Sequence, residues 1–138
     1  MFRISQYMEE IAHPTPLGPK RNPPGPVVIW NLIRRCNLTC KHCYSISADK
    51  DFPGELSTQE VYGVMDDLKR FRVPVLILSG GEPLLRPDIF DIAQRAKGLG
   101  FYVGLSSNGT LIDETNIRRI AETDFNYVGI SLDGIRET

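Results

Sequence analysis

Three thiols crowd the stretch "RRCNLTCKHCY", residues 34–44: Cys36, Cys40 and Cys43, with no other cysteine in the chain. An odd number of closely spaced thiols makes a poor disulfide framework, but thiolates are soft ligands for zinc or for an iron–sulfur cluster. Structural zinc takes four ligands and would need a nearby His or carboxylate, His42 being the only imidazole close by. A cubane 4Fe–4S cluster on Cys36, Cys40 and Cys43 would leave one iron without a protein ligand, open to a small molecule. The cluster is the better match, and a non-enzymatic zinc-binding module is the distant alternative. Three unrelated core thiols do not fit, because Asn37, Thr39, Lys41 and His42 make the segment too polar for a buried strand or helix.

Such a loop needs a scaffold, and the hydrophobic pattern supplies one. "PVVIWNLI", residues 26–33, is a nearly continuous apolar run with β-branched residues, as in a strand buried on both faces, and the cysteines follow its end. "LSTQEVYGVMDDLKRF" opens with Ser57 and Glu60 at capping-box spacing and puts Val61, Val64, Met65 and Leu68 on one helical face. Strand "PVLILS" (74–79) comes next, then helix "RPDIFDIAQRAKGLG", with Pro87 near its start and Gly98 or Gly100 at its end. Strand "FYVGLSS" (101–107), a short helix from about Asp113 to Ala121 and strand "YVGISL" (127–132) complete the series. Strands alternating with helices predict an α/β fold with a parallel sheet and right-handed crossovers.

In parallel sheets ligands bind at the carboxyl ends of the strands, so the loops there are the places to look for chemistry. In "SGGEP", Gly80 and Gly81 let backbone approach a ligand, and Glu82 offers a carboxylate to an ammonium group; the other reading is a tight turn with a capping acid. In "SSNGT", Ser106, Ser107 and Asn108 offer hydroxyls and an amide suited to a ribose or a carboxylate. In "SLDG", Ser131 and Asp133 could reach a sugar hydroxyl, although Asp133 and Gly134 also read as a plain turn.

The chain of 138 residues, 41% hydrophobic and 24% charged, is enough for one core that buries roughly two-thirds of the unfolded surface. A net charge of −1 gives no electrostatic reason to bind nucleic acid or an anionic membrane. No apolar run approaches a membrane span and the N-terminus lacks the long apolar stretch of a secretory signal, which predicts a cytoplasmic protein.

The spacing C-x3-C-x2-C resembles the signature of the radical S-adenosylmethionine (SAM) enzymes. That resemblance implies a 4Fe–4S cluster whose open iron chelates the amino and carboxylate groups of SAM. It also implies that the reduced cluster, fed by a donor such as flavodoxin or ferredoxin, splits SAM into methionine and a 5′-deoxyadenosyl radical that takes a hydrogen atom from substrate. "SGGEP" resembles the family's GGE motif, so Gly80, Gly81 and Glu82 would meet the methionine amino group. Ser106, Asn108 and Ser131 would line the SAM pocket. His42 takes the place where the family commonly has an aromatic residue and would pack near the adenine; an exposed histidine without a role is the other reading. No residue is assigned a catalytic role.

"MFRISQYM", the Pro-rich "HPTPLGPKRNPPGP" and the motif-bearing segments together resemble the branch of that family that works in heme d1 biosynthesis. The implied substrate is a tetrapyrrole, 12,18-didecarboxysiroheme, which would lose two propionate side chains. A radical SAM peptide-modifying enzyme and a heme-forming decarboxylase are the alternatives within the family. A complete core of the family has six βα units, so about four are expected here: a partial parallel (β/α) barrel over residues 26–138, after a Pro-rich arm at 1–25. The chain is expected to be part of a longer protein, with a second iron–sulfur cluster in its C-terminal region and an unpaired sheet edge after the fourth strand.

Overall fold

The computed structural model describes residues 25–132 together with Ala12. The Pro-rich arm, apart from Ala12 and Gly25, and Asp133 and Gly134 lie outside the described residues. Four strands, β1 (Val27–Asn31), β2 (Val75–Ser79), β3 (Tyr102–Ser107) and β4 (Tyr127–Ile130), form one parallel sheet in the order β1-β2-β3-β4. Helices α1 (Thr58–Arg70), α2 (Ile89–Gly98) and α3 (Glu114–Thr123) make the three crossovers, and a 3₁₀ turn at Pro83–Leu85 precedes α2. Each crossover advances one place in the same direction, so the sheet is a partial parallel (β/α) barrel with all strand carboxyl ends on one rim.

Local chemistry explains the elements. The Ser57 side chain accepts from Glu60 N while Glu60 Oε2 accepts from Ser57 N (2.8 Å), a capping box that starts α1. Val61 and Met65 are fully buried on the face of α1 that meets the sheet, and Val64 and Leu68 are half-buried beside them. Helix α3 runs to Thr123, two residues past the expected end. It stops at Asp124, which adopts left-handed geometry (φ 53) where a glycine is usual. Lys97 secures that turn through Asp124 Oδ2 (2.7 Å) and the Thr123 carbonyl (3.1 Å).

The helices cover one face of the sheet. Leu76, Leu78, Val103 and Leu105 point into it and join Met65, Ile89, Ile92 and Phe101 in the core. Each such fully buried side chain contributes roughly 1.5–3 kcal/mol. The opposite, concave face grades along its length. It is apolar and aromatic at the strand starts (Val27, Val75, Tyr102) and hydroxyl-bearing at the rim (Ser79, Ser106). β1 therefore departs from the expected strand buried on both faces: Val27 is 59% and Ile29 65% exposed, because β1 is an edge strand whose concave side no described element covers. β4 is the other edge, with Ile130 61% exposed.

Arg86 ties the rim to the helical layer. Its guanidinium donates to the Leu32 carbonyl (2.9 Å), the Leu56 carbonyl (2.9 Å) and both Asp88 oxygens (2.7 and 3.1 Å). Asp88 also accepts from Thr58 Oγ1 (2.6 Å). It stands at the N-cap of α2 without capping it, its carboxylate being committed to Arg86 and to the first residue of α1.

Candidate functional site

The cysteines sit on an excursion from the rim, pinned at both feet. On the outgoing side Leu32 N donates to Ser79 O (2.9 Å), Gly81 N to Ile33 O (2.6 Å) and Glu82 N to Arg35 O (2.9 Å), so residues 32–35 lie along the loop that follows β2. On the return Cys36 N donates to Ala48 O (3.1 Å), beside a parallel bridge between Arg35 and Ala48. Within the excursion Cys43 N donates to Cys40 O (3.1 Å), a turn that separates those two cysteines.

This close backbone contact is why two glycines follow β2. A Cβ on Gly81 would stand 2.4 Å from the Arg35 carbonyl oxygen and 2.5 Å from that of Arg34; one on Gly80 would stand 2.4 Å from the Ile33 carbonyl oxygen. The glycines assigned above to ligand approach thus seat the segment that carries the cysteines, while also facing the pocket described next.

A cavity of about 390 Å³ opens at the rim. Cys36, Cys40, His42 and Cys43 line one side; Gly80, Gly81, Ser106, Asn108 and Ser131 line the others, together with Ile29. Of the described residues that the sequence offers to a ligand, all but Glu82 are in that lining; Asp133 lies outside the described residues. Glu82 is completely buried, and its carboxylate faces the protein: Oε1 accepts from Leu84 N (3.0 Å) and Ser107 Oγ (2.9 Å), and Oε2 accepts from Asn108 N (2.8 Å). The side chain expected to meet a ligand's ammonium group instead caps the 3₁₀ turn and clamps the β2 loop to the β3 loop. A buried carboxylate must satisfy its oxygens locally, and three donors converge on it here.

The thiols differ in environment. Cys36 is buried, and its sulfur accepts from Leu38 N (3.4 Å) and Asn108 Nδ2 (3.7 Å). Cys43 lies 3.2 Å from Ser45 Oγ, which in turn meets Ser47 Oγ (2.5 Å). The Ser45 hydroxyl, followed by the backbone of Ser47 and of Ser45, draws the Cys43 thiol down from 9.0 to about 6. A thiol so placed is largely thiolate at neutral pH, the form that binds metal.

Reading the sequence alone misses Ser45, Asn37 and Thr110. Ser45 and Ser47 carry a signal, hydroxyls two and four positions after a cysteine, which is weak because serines are common in loops. Asn37 and Thr110 are 73 positions apart yet hydrogen-bonded (Asn37 Nδ2 to Thr110 Oγ1, 2.8 Å), a pairing with no local signature.

Residues 30–138 match the model of the radical SAM superfamily. The chain belongs to that superfamily. Among curated radical SAM relatives it is 56% identical over 138 residues to the pre-heme d1 synthase of Dinoroseobacter shibae, covering 100% of this chain and 34% of the relative. It is 50% identical over 113 residues to the Fe-coproporphyrin III synthase of Methanosarcina barkeri, covering 82% and 28%. Among solved structures it resembles that of native anSMEcpe with bound AdoMet: TM-score 0.59, 25% identity, 78% of this chain and 32% of that one. The chain spans about a third of the length of the curated relatives it matches.

The donor set suits the 4Fe–4S cluster that membership of the superfamily implies. Three sulfurs on one wall, one of them a ready thiolate and another receiving two N–H groups, are the soft ligands a cluster takes. Each thiolate of a cubane binds its own iron, so the sulfurs need not converge on a point. Among the described residues no three His, Cys, Asp or Glu side chains gather as around a single ion. Nor is any described helix long and apolar enough to cross a membrane.

Proposed function

We propose that residues 26–138 are the N-terminal part of a radical SAM core that acts on a tetrapyrrole of heme d1 biosynthesis, after a Pro-rich arm at 1–25. The observation that carries the reading is the meeting of Cys36, Cys40 and Cys43 with the ends of β2, β3 and β4 around one cavity. Cys36, Cys40 and Cys43 hold the 4Fe–4S cluster, and SAM occupies the cavity beside them. Held there in its reduced form, such a cluster would supply one-electron cleavage of SAM, the chemistry that would start hydrogen abstraction from a propionate side chain of the substrate.

The chain's own residues bind and orient SAM. Gly80 and Gly81 present backbone to the methionine end, Ser106 and Ser131 offer hydroxyls to the sugar, and His42 packs near the adenine. Ile29 adds an apolar side chain to the lining of the cavity. Glu82 holds the β2 and β3 loops together by its two bonds to Ser107 and Asn108. The electron donor is a flavodoxin or ferredoxin.

The 56% identity to a pre-heme d1 synthase supports didecarboxysiroheme as substrate. The 50% identity to an Fe-coproporphyrin III synthase favours, second, decarboxylation on the way to another iron porphyrin. Supplying the whole protein anaerobically with SAM, reductant and either didecarboxysiroheme or its siroheme precursor, and identifying products by mass, separates the two. Loss of two propionate side chains from didecarboxysiroheme supports the first; intact didecarboxysiroheme, with 5′-deoxyadenosine released under the same conditions, overturns it.

A further inference from the structure

Asn108, just past the end of β3, has every hydrogen-bonding position of its amide occupied. Its Oδ1 accepts from Thr110 N (2.9 Å) and Thr110 Oγ1 (2.6 Å). A backbone N–H can only donate, so the oxygen faces Thr110 and the NH2 group faces the cysteine loop. There one hydrogen goes to Asn37 Oδ1 (2.9 Å) and the other to Cys36 Sγ (3.7 Å). Asn37 Nδ2 reaches back to Thr110 Oγ1 (2.8 Å) and closes a ring of three side chains. Glu82 Oε2 holds the Asn108 backbone N–H at 2.8 Å.

We infer that Asn108 is a positioning residue for Cys36 that sets how much negative charge its sulfur carries, rather than a contact for the sugar of SAM. The inference rests on the reading above that Cys36 ligates a cluster. Hydrogen bonds to cluster sulfurs favour the more negative, reduced state and so raise the reduction potential. Cys36 is only 7% exposed, so water does not supply that bond in place of the amide. The donor is also rigid. Its oxygen is fixed by Thr110, its second hydrogen by Asn37 and its backbone by Glu82, so the amide cannot turn toward a ligand without breaking several bonds.

The test is made on the whole protein, reconstituted anaerobically, as parent, Asn108→Ala and Asn108→Asp. Three quantities are measured: iron content, SAM binding, and the reduced-to-oxidised ratio of the cluster at one fixed applied potential, by electron paramagnetic resonance. Loss of the N–H···S bond lowers that ratio about fivefold in Asn108→Ala, with iron at the parent level and SAM affinity within about threefold. Asn108→Asp keeps the Thr110 contacts but turns a negative oxygen toward the sulfur, so its ratio falls further. A ratio unchanged in both variants, or SAM affinity down about tenfold with the ratio intact, overturns the inference and makes Asn108 a SAM contact. Loss of iron from both variants also overturns it, since Asn108 would then only hold the loop together. A parent that takes up no iron overturns the reading of the site itself, a result distinct from the others.

Discussion

Glu82 Oε1 and Ser107 Oγ lie 2.9 Å apart in the buried space between the loops after β2 and β3, and through this contact the two motifs act as one unit. Glu82→Gln keeps the shape of the side chain but replaces one acceptor oxygen with an NH2 group, which must then face a donor. Leaving one buried group unpaired costs about 1–3 kcal/mol. The variant is expected to unfold at lower denaturant concentration with an unchanged slope, and to bind SAM more weakly because both loops shift. A midpoint equal to the parent's would show that the clamp contributes nothing to stability.

Gly81→Val is expected to lose iron as well as SAM. The new Cβ would fall 2.4 Å from the Arg35 carbonyl oxygen, on the segment that leads into Cys36, so the cysteine loop has to move. Iron content after anaerobic reconstitution checks this. Full iron loading with only SAM binding impaired would mean that the loop tolerates displacement.

The two outcomes mark how far the sequence could be read. The spacing of Cys36, Cys40 and Cys43, the capping box of Ser57 and Glu60, and the alternation of strands and helices are local patterns, and the fold follows them. What was not legible depends on contacts between distant segments. A glutamate after two glycines reads equally as a ligand or as a cap until Ser107 and Asn108, 25 and 26 positions on, turn out to face it. In the same way the apolar run at β1 gives no sign that one face is open, because hydrophobicity records what a strand can bury rather than what is there to cover it. At the end of α3 the expected boundary falls short because Asp124, held by Lys97, takes the left-handed position usually left to glycine.

Acid should weaken the fold through Asp88. Burial opposes its ionisation, but hydrogen bonds from Arg86 and then Thr58 prevail and hold the carboxyl below its ordinary 3.8. A carboxyl depressed in the folded state stabilises the fold above its unfolded value. That contribution fades as pH falls from about 4 through the folded value. Parent stability should therefore fall more steeply below about pH 4 than that of Asp88→Asn, which starts lower at neutral pH. Parallel curves in urea unfolding from pH 6 to pH 3 would show that the Arg86–Asp88–Thr58 contacts carry no linkage.

If Cys36, Cys40 and Cys43 hold a cluster with one iron open to SAM, the electron paramagnetic resonance spectrum of the reduced, reconstituted protein must change when SAM is added. About four irons at this site are expected, with a reduced-cluster signal that SAM shifts and that is lost in Cys36→Ser, Cys40→Ser and Cys43→Ser. A spectrum in which no component responds to saturating SAM, or a SAM-responsive component that survives all three substitutions, would contradict that arrangement.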